Sequence, residues 1–478
     1  MKKILFKYKK MGIQAQAALW FTFCNILQKG ISMITVPIFT RLLTTEEYGI
    51  YSIYLSWLNI ITVFTSLNLF YGVFNNAMIK YKSDRDRYVS SMQGLVIILN
   101  SGFFLIYLLG QNFFNNILGL STLFVVLMFI EMLVTPMMQF WAARQRFEYK
   151  YKNLVIVTLA KSFLNPVIGI IAVIFSRDHA LARVVSVVFV ELLFCGSIMI
   201  YQFIKGKSFY VKKYWKYAIQ FNVPLIPHYI SGSILNQGDR VMINSMVGKS
   251  AVGIYSVAYN IGMLMQIFTN AINSSYTPWM YTSLKEKKYQ EIKKISSILL
   301  LLVACLVWIL MAFAPEIITV FASKEYGQAI YVIPPIAASV FFIFMYTIFS
   351  NLEFYFEKNK FIMIASIGAA VLNIILNLIF IPVFGYIAAG YTTLGSYVIY
   401  CFSHYVFCDL ICKKELNGER LYDKKFIFAL SAIVIMMTFF FSVLYYSTFI
   451  RYLLLSILLG ILFYKREYFL KQFKILRK

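Results

Sequence analysis

The chain has 478 residues, 60% of them hydrophobic and 14% charged, and a formal net charge of +25. Soluble domains run near about 25% charged and about 45–50% apolar. With a mean hydropathy of +0.72, the composition excludes an ordinary soluble enzyme and points to an all-α polytopic membrane protein.

Windows of about 20 residues, long enough to cross a ~30 Å hydrocarbon core, recur along the whole chain. They are predicted near 13–40, 50–74, 89–110, 118–141, 153–175, 181–204, 217–244, 251–280, 295–321, 330–352, 361–383, 386–412, 425–446 and 449–466. That makes about fourteen transmembrane helices. The start, MKKILFKYKK, is basic, and the apolar stretch after it is too long for a signal-peptide core and lacks a small-x-small cleavage site. It is expected to be a cytoplasmic lead into the first helix.

The positive charge suggests nucleic acid until its distribution is read. The stretches 1–10, 79–88, 144–152, 205–216, 282–294, 357–360, 413–425 and 465–478 hold 36 of the 45 Lys and Arg. The intervening loops are assigned Arg41, Arg177, Arg183, Lys249, Lys324 and Arg451, and the helices Lys29, Lys161 and Arg240. This alternation is the positive-inside rule, and it predicts both termini in the cytoplasm. The basic loops then need anionic lipid headgroups and no nucleic acid. Outer connections such as QNFFNN, SRDHA and ASKEYGQ are short, which leaves no soluble catalytic module. The six cysteines lie in or beside apolar segments, without metal-type pairing to His or acid, and are read as structural thiols.

An internal repeat organises the chain. RLLTTEEYGIYSIYLSWLNII (41–61) resembles SMVGKSAVGIYSVAYNIGMLM (245–265), and GIYS recurs at an offset of 204 residues. Six helices fit in that offset, so both copies keep one orientation across the bilayer. The expected domains are an N-terminal six-helix bundle (1–204), its repeat (205–412), and two extra helices with a basic tail (413–478). Two such bundles with a cleft between them are an architecture of alternating-access transporters.

Ionisable groups at membrane depth cost about 2.5–3.5 kcal/mol on insertion scales and usually face a cavity or a partner. In the first helix Thr22, Asn25, Lys29 and Ser32 share one face. In the seventh Tyr229, Ser233, Asn236 and Arg240 do the same, and subtracting 204 carries this stripe onto 25, 29, 32 and 36. Both stripes are expected to face the cleft, with Asn25, Ser32, Tyr229, Ser233 and Asn236 offering sugar-compatible polar groups. Lys161 and Asn165 make a shorter stripe. Lys29, Lys161 and Arg240 would attract an anion, since the Arg fork suits phosphate and Lys acts as a mobile point charge.

Asp239 lies about 100° round the helix from Arg240. It is expected to pair with another helix or to position Arg240, and a buried ion pair that only specifies packing is the alternative. Glu131 and Glu353 are candidates for ion coupling or pairing, with Glu131 also a potential partner for Lys29. No metal site and no nucleotide-binding GxxxxGK[ST] motif is present. No cofactor is expected, and H⁺ or Na⁺ coupling through the intramembrane carboxylates stays open.

TVPIFTRLLTTEEYGIYS (35–52), DRVMINSMVGKSAVGIYSVAYNIG (239–262), Pro278 in SSYTPWMY and NLIFIPVFGYIAAGYTTLGSY (377–397) together resemble the Wzx-type oligosaccharide flippases of the multidrug/oligosaccharidyl-lipid/polysaccharide exporter superfamily. The resemblance runs to about residue 412. It implies a fold like multidrug-toxin exporters in the bacterial inner membrane. It implies translocation of a polyprenyl-diphosphate-linked oligosaccharide to the outer leaflet for O-antigen, capsule or similar surface polysaccharide. Glycan polymerase and glycosyltransferases of the same pathway would be partners. Its cationic cleft role matches Lys29 and Arg240, and more weakly Lys161; for Arg240 a structural hinge is the competing role. The alternatives are a cation-coupled drug or metabolite antiporter of the same fold, a lipid-linked peptidoglycan-precursor flippase, and a membrane polymerase or ligase. The last would need a large outer loop that the sequence lacks.

Overall fold

A computed structural model describes residues 11–467. The basic lead and the end of the basic tail, with the expectation placed on the termini, lie outside the described residues. The described residues contain helices and no strand. The chain forms two compact units, Met1–Ser233 and Ile234–Lys478.

The first unit contains α1 (Ile13–Leu42), α2 (Thr45–Ser66), α3 (Gly72–Lys80), α4 (Arg85–Leu109), α5 (Gln111–Leu118), α6 (Thr122–Phe147) and α7 (Tyr151–Phe175). α8 (His179–Glu191) runs through a π-helical turn, Leu192–Gly196, into α9 (Ser197–Gly206), and α10 (Lys212–Asn222) follows. α11 (Ile226–Met246) carries the boundary between the units. α2 starts on a capping box: the Thr44 hydroxyl accepts from the Glu47 amide, and the Glu47 carboxylate accepts from the Thr44 amide at 2.8 Å. α1 packs on α7, α7 on α8, and α9 on α4. Val73, Phe74, Met78, Tyr88, Met92, Met137 and Phe140 fill a core between α3, α4 and α6.

The second unit contains α12 (Lys249–Gly262), α13 (Met265–Lys285), α14 (Tyr289–Ala312), α15 (Ala314–Phe321), α16 (Ile333–Tyr355), α17 (Asn359–Phe384), α18 (Tyr386–Glu415), α19 (Lys424–Leu444) and α20 (Thr448–Tyr464). α16 is apolar on all sides and touches α12, α13, α14, α18 and α19. A helix hydrophobic all round must be the buried one, and its spanning window is the most enclosed of the unit.

Among the described residues ten helices are long and apolar enough to cross a membrane. The expectation of about fourteen includes four more, α1, α2, α11 and α20. The first three are of spanning length but carry polar residues throughout, and α20 has 17 residues.

Several predicted spans are broken. The segment 50–74 ends at Ser66, because Leu67 and Asn68 both adopt left-handed φ, at 49° and 47°. The segment 217–244 is two helices, parted by a 3₁₀ turn that contains Pro224, a residue without an amide to continue the ladder. The segment 295–321 stops at Ala312 and restarts with Pro315 in the first turn of α15. Hydropathy continues across all three breaks, so apolar length alone misses them. Arg183 and Arg451, assigned above to loops, lie inside α8 and α20 and are buried. Arg451 is held by Glu316 at 2.5 Å and by the Ala312 carbonyl.

A cationic cavity in the first unit and a buried carboxylate in the second

A cavity of about 520 Å³ opens within the first unit between α1, α6, α7 and α8. Four cations line it, Lys29, Arg146, Lys161 and Arg183, among the polar groups of Gln28, Ser32, Thr35, Gln139, Thr158, Ser162 and Asn165. No Asp or Glu is among the described residues that line it.

The four cations are held differently. Lys161 meets Glu191 from behind the wall, its Nζ 2.6 Å from Oε1 and 2.7 Å from Oε2. The Cys195 thiol donates to the same carboxylate at 3.0 Å. Glu191 caps the π-turn and Cys195 lies within it, a break in helical geometry frequent at functional sites. Arg183 has neutral partners: Asn165 Oδ1 at 3.0 Å and Tyr51 Oη at 3.3 Å, with its guanidinium 4.3 Å over the Phe39 ring. It is packed against Gly169, where an added Cβ would stand 2.5 Å from Nη1 and 2.9 Å from Phe39. Gly169→Ala is therefore expected to displace the Arg183 guanidinium and the Phe39 ring and to lower the thermal unfolding temperature of the purified protein. An unfolding temperature equal to wild type would show that both side chains move aside without cost.

Lys29 makes no hydrogen bond or ion pair among the described residues. At the end of α6 the acids select which arginine is neutralised. Asp86 and Glu148 pair with Arg144, and Glu148 also takes Lys150 at 2.6 Å. Burial opposes ionisation of Glu148, but hydrogen bonds from Lys150 and Arg144 outweigh it and hold the carboxyl below its ordinary range. Arg146, on the other side of the turn, has no ion pair among the described residues and lines the cavity. Three cations thus lack a carboxylate, and a cavity lined by one sign concentrates the opposite sign.

The second unit buries Asp239. Its carboxylate accepts from Tyr255 Oη at 2.5 Å, Thr393 Oγ1 at 2.6 Å and Asn377 Nδ2 at 2.7 Å. Three helices besides its own, α12, α17 and α18, converge on it. Arg240 is held separately: it donates to Ser256 Oγ at 3.0 Å, the Asn236 carbonyl at 2.8 Å and Gln237 Oε1 at 3.2 Å, and lies 4.3 Å over the Tyr259 ring.

The sequence-predicted residues therefore fall into groups. Lys29, Ser32 and Lys161 meet in one cavity. Asn25 sits one turn before Lys29 and is not part of that wall. Asn236, Asp239 and Arg240 are in the second unit, while Tyr229 and Ser233 end the first. Glu131 accepts from Tyr54 Oη at 2.7 Å, and Glu353 meets His404 Nδ1 at 2.8 Å. Arg146 and Arg183 are additions that the sequence reading had assigned to loops. The signal that could have found Arg183 is its position inside an apolar segment. Among the described residues no cluster of three or more His, Cys, Asp or Glu could hold a metal ion.

The described residues thus form a helical multi-pass membrane protein with a large cationic cavity in its first unit. The profile of the polysaccharide biosynthesis protein family matches residues 15–284, and that of MatE matches 224–379. The chain belongs to the polysaccharide biosynthesis protein family. It is 22% identical over 372 residues to the Lsg locus putative protein 1 of Haemophilus influenzae, covering 73% of this chain and 87% of that protein. It is 22% identical over 324 residues to the capsular polysaccharide biosynthesis protein CapF of Staphylococcus aureus, covering 64% and 76%. Its fold matches the lipid II flippase MurJ in an inward closed conformation with a TM-score of 0.70 at 16% identity, over 94% of this chain and 99% of that one. The fold is thus one seen in solved membrane transporters.

Proposed function

We propose that this protein flips a polyprenyl-diphosphate-linked oligosaccharide from the cytoplasmic to the outer leaflet of a bacterial inner membrane, by alternating access of two six-helix repeats (1–204 and 205–412), for surface polysaccharide synthesis. One observation carries the reading: a cavity of about 520 Å³ lined, among the described residues, by four cations and no carboxylate. A diphosphate supplies the missing negative charge. Arg183 and Arg146 offer planar forks and Lys29 a mobile point charge, and Lys161 is shared with Glu191. The basic loops and both termini face the cytoplasm, where the substrate is made. Glycosyltransferases act before this step and a polymerase after it.

A cation-coupled drug antiporter of the same fold is disfavoured by the same wall, which would repel a cationic drug. A lipid-linked peptidoglycan precursor carries the same diphosphate and is separated only by its sugars. Arg240, whose donors are engaged by Ser256, Asn236 and Gln237, serves the second unit before it serves a substrate. Asp239 is the best placed carboxylate for H⁺ or Na⁺ coupling, since it is buried and held by two hydroxyls and one amide N–H from three other helices.

The test is depletion of the protein in its native host, followed by labelling of lipid-linked oligosaccharides with an impermeant sugar reagent. Complete repeat units should accumulate unlabelled, on the cytoplasmic side. Lys29→Ala, which breaks no hydrogen bond or ion pair among the described residues, should fail to restore labelling at normal protein levels, and Lys29→Arg should restore part of it. Normal outward labelling without the protein would overturn the flippase reading, and full rescue by Lys29→Ala would remove Lys29 from the site.

A further inference from the structure

A second cavity, of about 420 Å³, adjoins the cationic one and shares Gln139 and Arg146 with it. Its other walls are aromatic: Phe70, Tyr71 and Phe147, with Asn75 beside them. Two consecutive left-handed residues, Leu67 and Asn68, build this wall. Such a conformation is disfavoured for residues with a Cβ and persists only where the surroundings impose it. Here the fully buried Asn222 donates to the Leu67 carbonyl at 2.8 Å, and the Ser66 hydroxyl accepts from the Asn68 amide at 3.2 Å. The reversal buries Leu69, seats Phe70 against Phe140, and leaves Tyr71 56% exposed. The Tyr71 ring lies 4.8 Å from Phe70 and 6.2 Å from Tyr229, centroid to centroid.

We propose that Phe70, Tyr71 and Tyr229 form a glycan subsite, which stacks on a pyranose ring of the substrate while its diphosphate lies on the Lys29–Arg146 wall. The assignment rests on the lipid-linked oligosaccharide reading above. A pyranose presents an apolar C–H face and a rim of hydroxyls. Aromatic rings at the surface of a wet cavity suit the face, and the carboxamides of Asn75 and Gln139, which make no hydrogen bond among the described residues, suit the rim. A lipid tail fits this wall poorly, because Asn75, Gln139 and Arg146 interrupt it, and Arg146 would repel a cationic aromatic drug. Arg146, common to both cavities, stands where the sugar–phosphate bond would fall. Stacking uses a face shared by most pyranoses, so this subsite senses the presence of a sugar more than its identity.

The experiment measures binding of two probes to the full-length protein in lipid nanodiscs: polyprenyl diphosphate, and the same lipid bearing one N-acetylglucosamine. The wild-type protein should bind the sugar-bearing lipid more tightly. Tyr71→Ala and, independently, Tyr229→Ala should each weaken that probe about threefold to tenfold, the size of an aromatic contact, and leave the sugar-free probe unaffected. Tyr71→Phe should retain wild-type affinity, and Lys29→Ala should weaken both probes. Equal affinity of the wild-type protein for the two probes, or equal loss for both in Tyr71→Ala, overturns the subsite and leaves the diphosphate reading standing. Binding of neither probe by the wild-type protein overturns both.

Discussion

Lys161→Ala is expected to lose export and stability together, whereas Lys29→Ala loses export alone. The difference lies in the partner. Glu191 is 6% exposed and has both oxygens on the Lys161 ammonium. Removing one member of a buried pair leaves the other charge uncompensated, at a cost of about 3–5 kcal/mol. Thermal unfolding of purified protein should therefore show Lys161→Ala well below wild type. Replacing both members, as Lys161→Met with Glu191→Leu, should recover most of that stability, because apolar side chains of similar volume fill the gap without a stranded charge. It should not recover export if the ammonium is needed for the diphosphate. A double variant that is stable and exports normally would make the pair purely structural. A single Lys161→Ala variant as stable as wild type would mean that the remaining donors to Glu191, Cys195 at 3.0 Å and Thr135 at 3.4 Å, are enough to hold it.

The membrane fold was readable from the sequence because its signal is long-range and redundant. Apolar windows recur along the whole chain, and ten of them coincide with helices long and apolar enough to cross a membrane. The site was readable in part. Lys29 and Lys161 stand out as cations inside apolar helices, and the cavity contains both. Arg146 and Arg183 did not stand out, since a cation near a helix end looks the same in sequence whether it reaches water or turns inward. The breaks at Leu67–Asn68 and Pro224 were hidden by unbroken hydropathy, although the proline offered a warning. For the first break the decisive contact, Asn222 to the Leu67 carbonyl, joins residues 155 apart in sequence, and no local pattern announces it. Asp239 was visible as a charge in a helix. Its three donors come from α12, α17 and α18, so periodicity within α11 could not name them.

Those three donors set the second large effect. Asp239→Ala would leave Tyr255, Thr393 and Asn377 without their common acceptor, at about 1–3 kcal/mol for each buried group left unpaired. The second unit should then unfold at markedly lower temperature, or the protein should fail to accumulate in the membrane. Asp239→Asn keeps one acceptor oxygen, and the Tyr255 and Thr393 hydroxyls can reverse and accept from its new amide. It should therefore retain most of the fold. That variant separates packing from coupling. If Asp239 carries an exchangeable H⁺ or Na⁺, stable Asp239→Asn protein in vesicles should lose the dependence of transport on an imposed pH or Na⁺ gradient. If the carboxylate only ties four helices together, the gradient dependence should persist and transport should scale with the amount of folded protein. The charge itself is then what matters or does not, because the shape of the side chain is unchanged between the two.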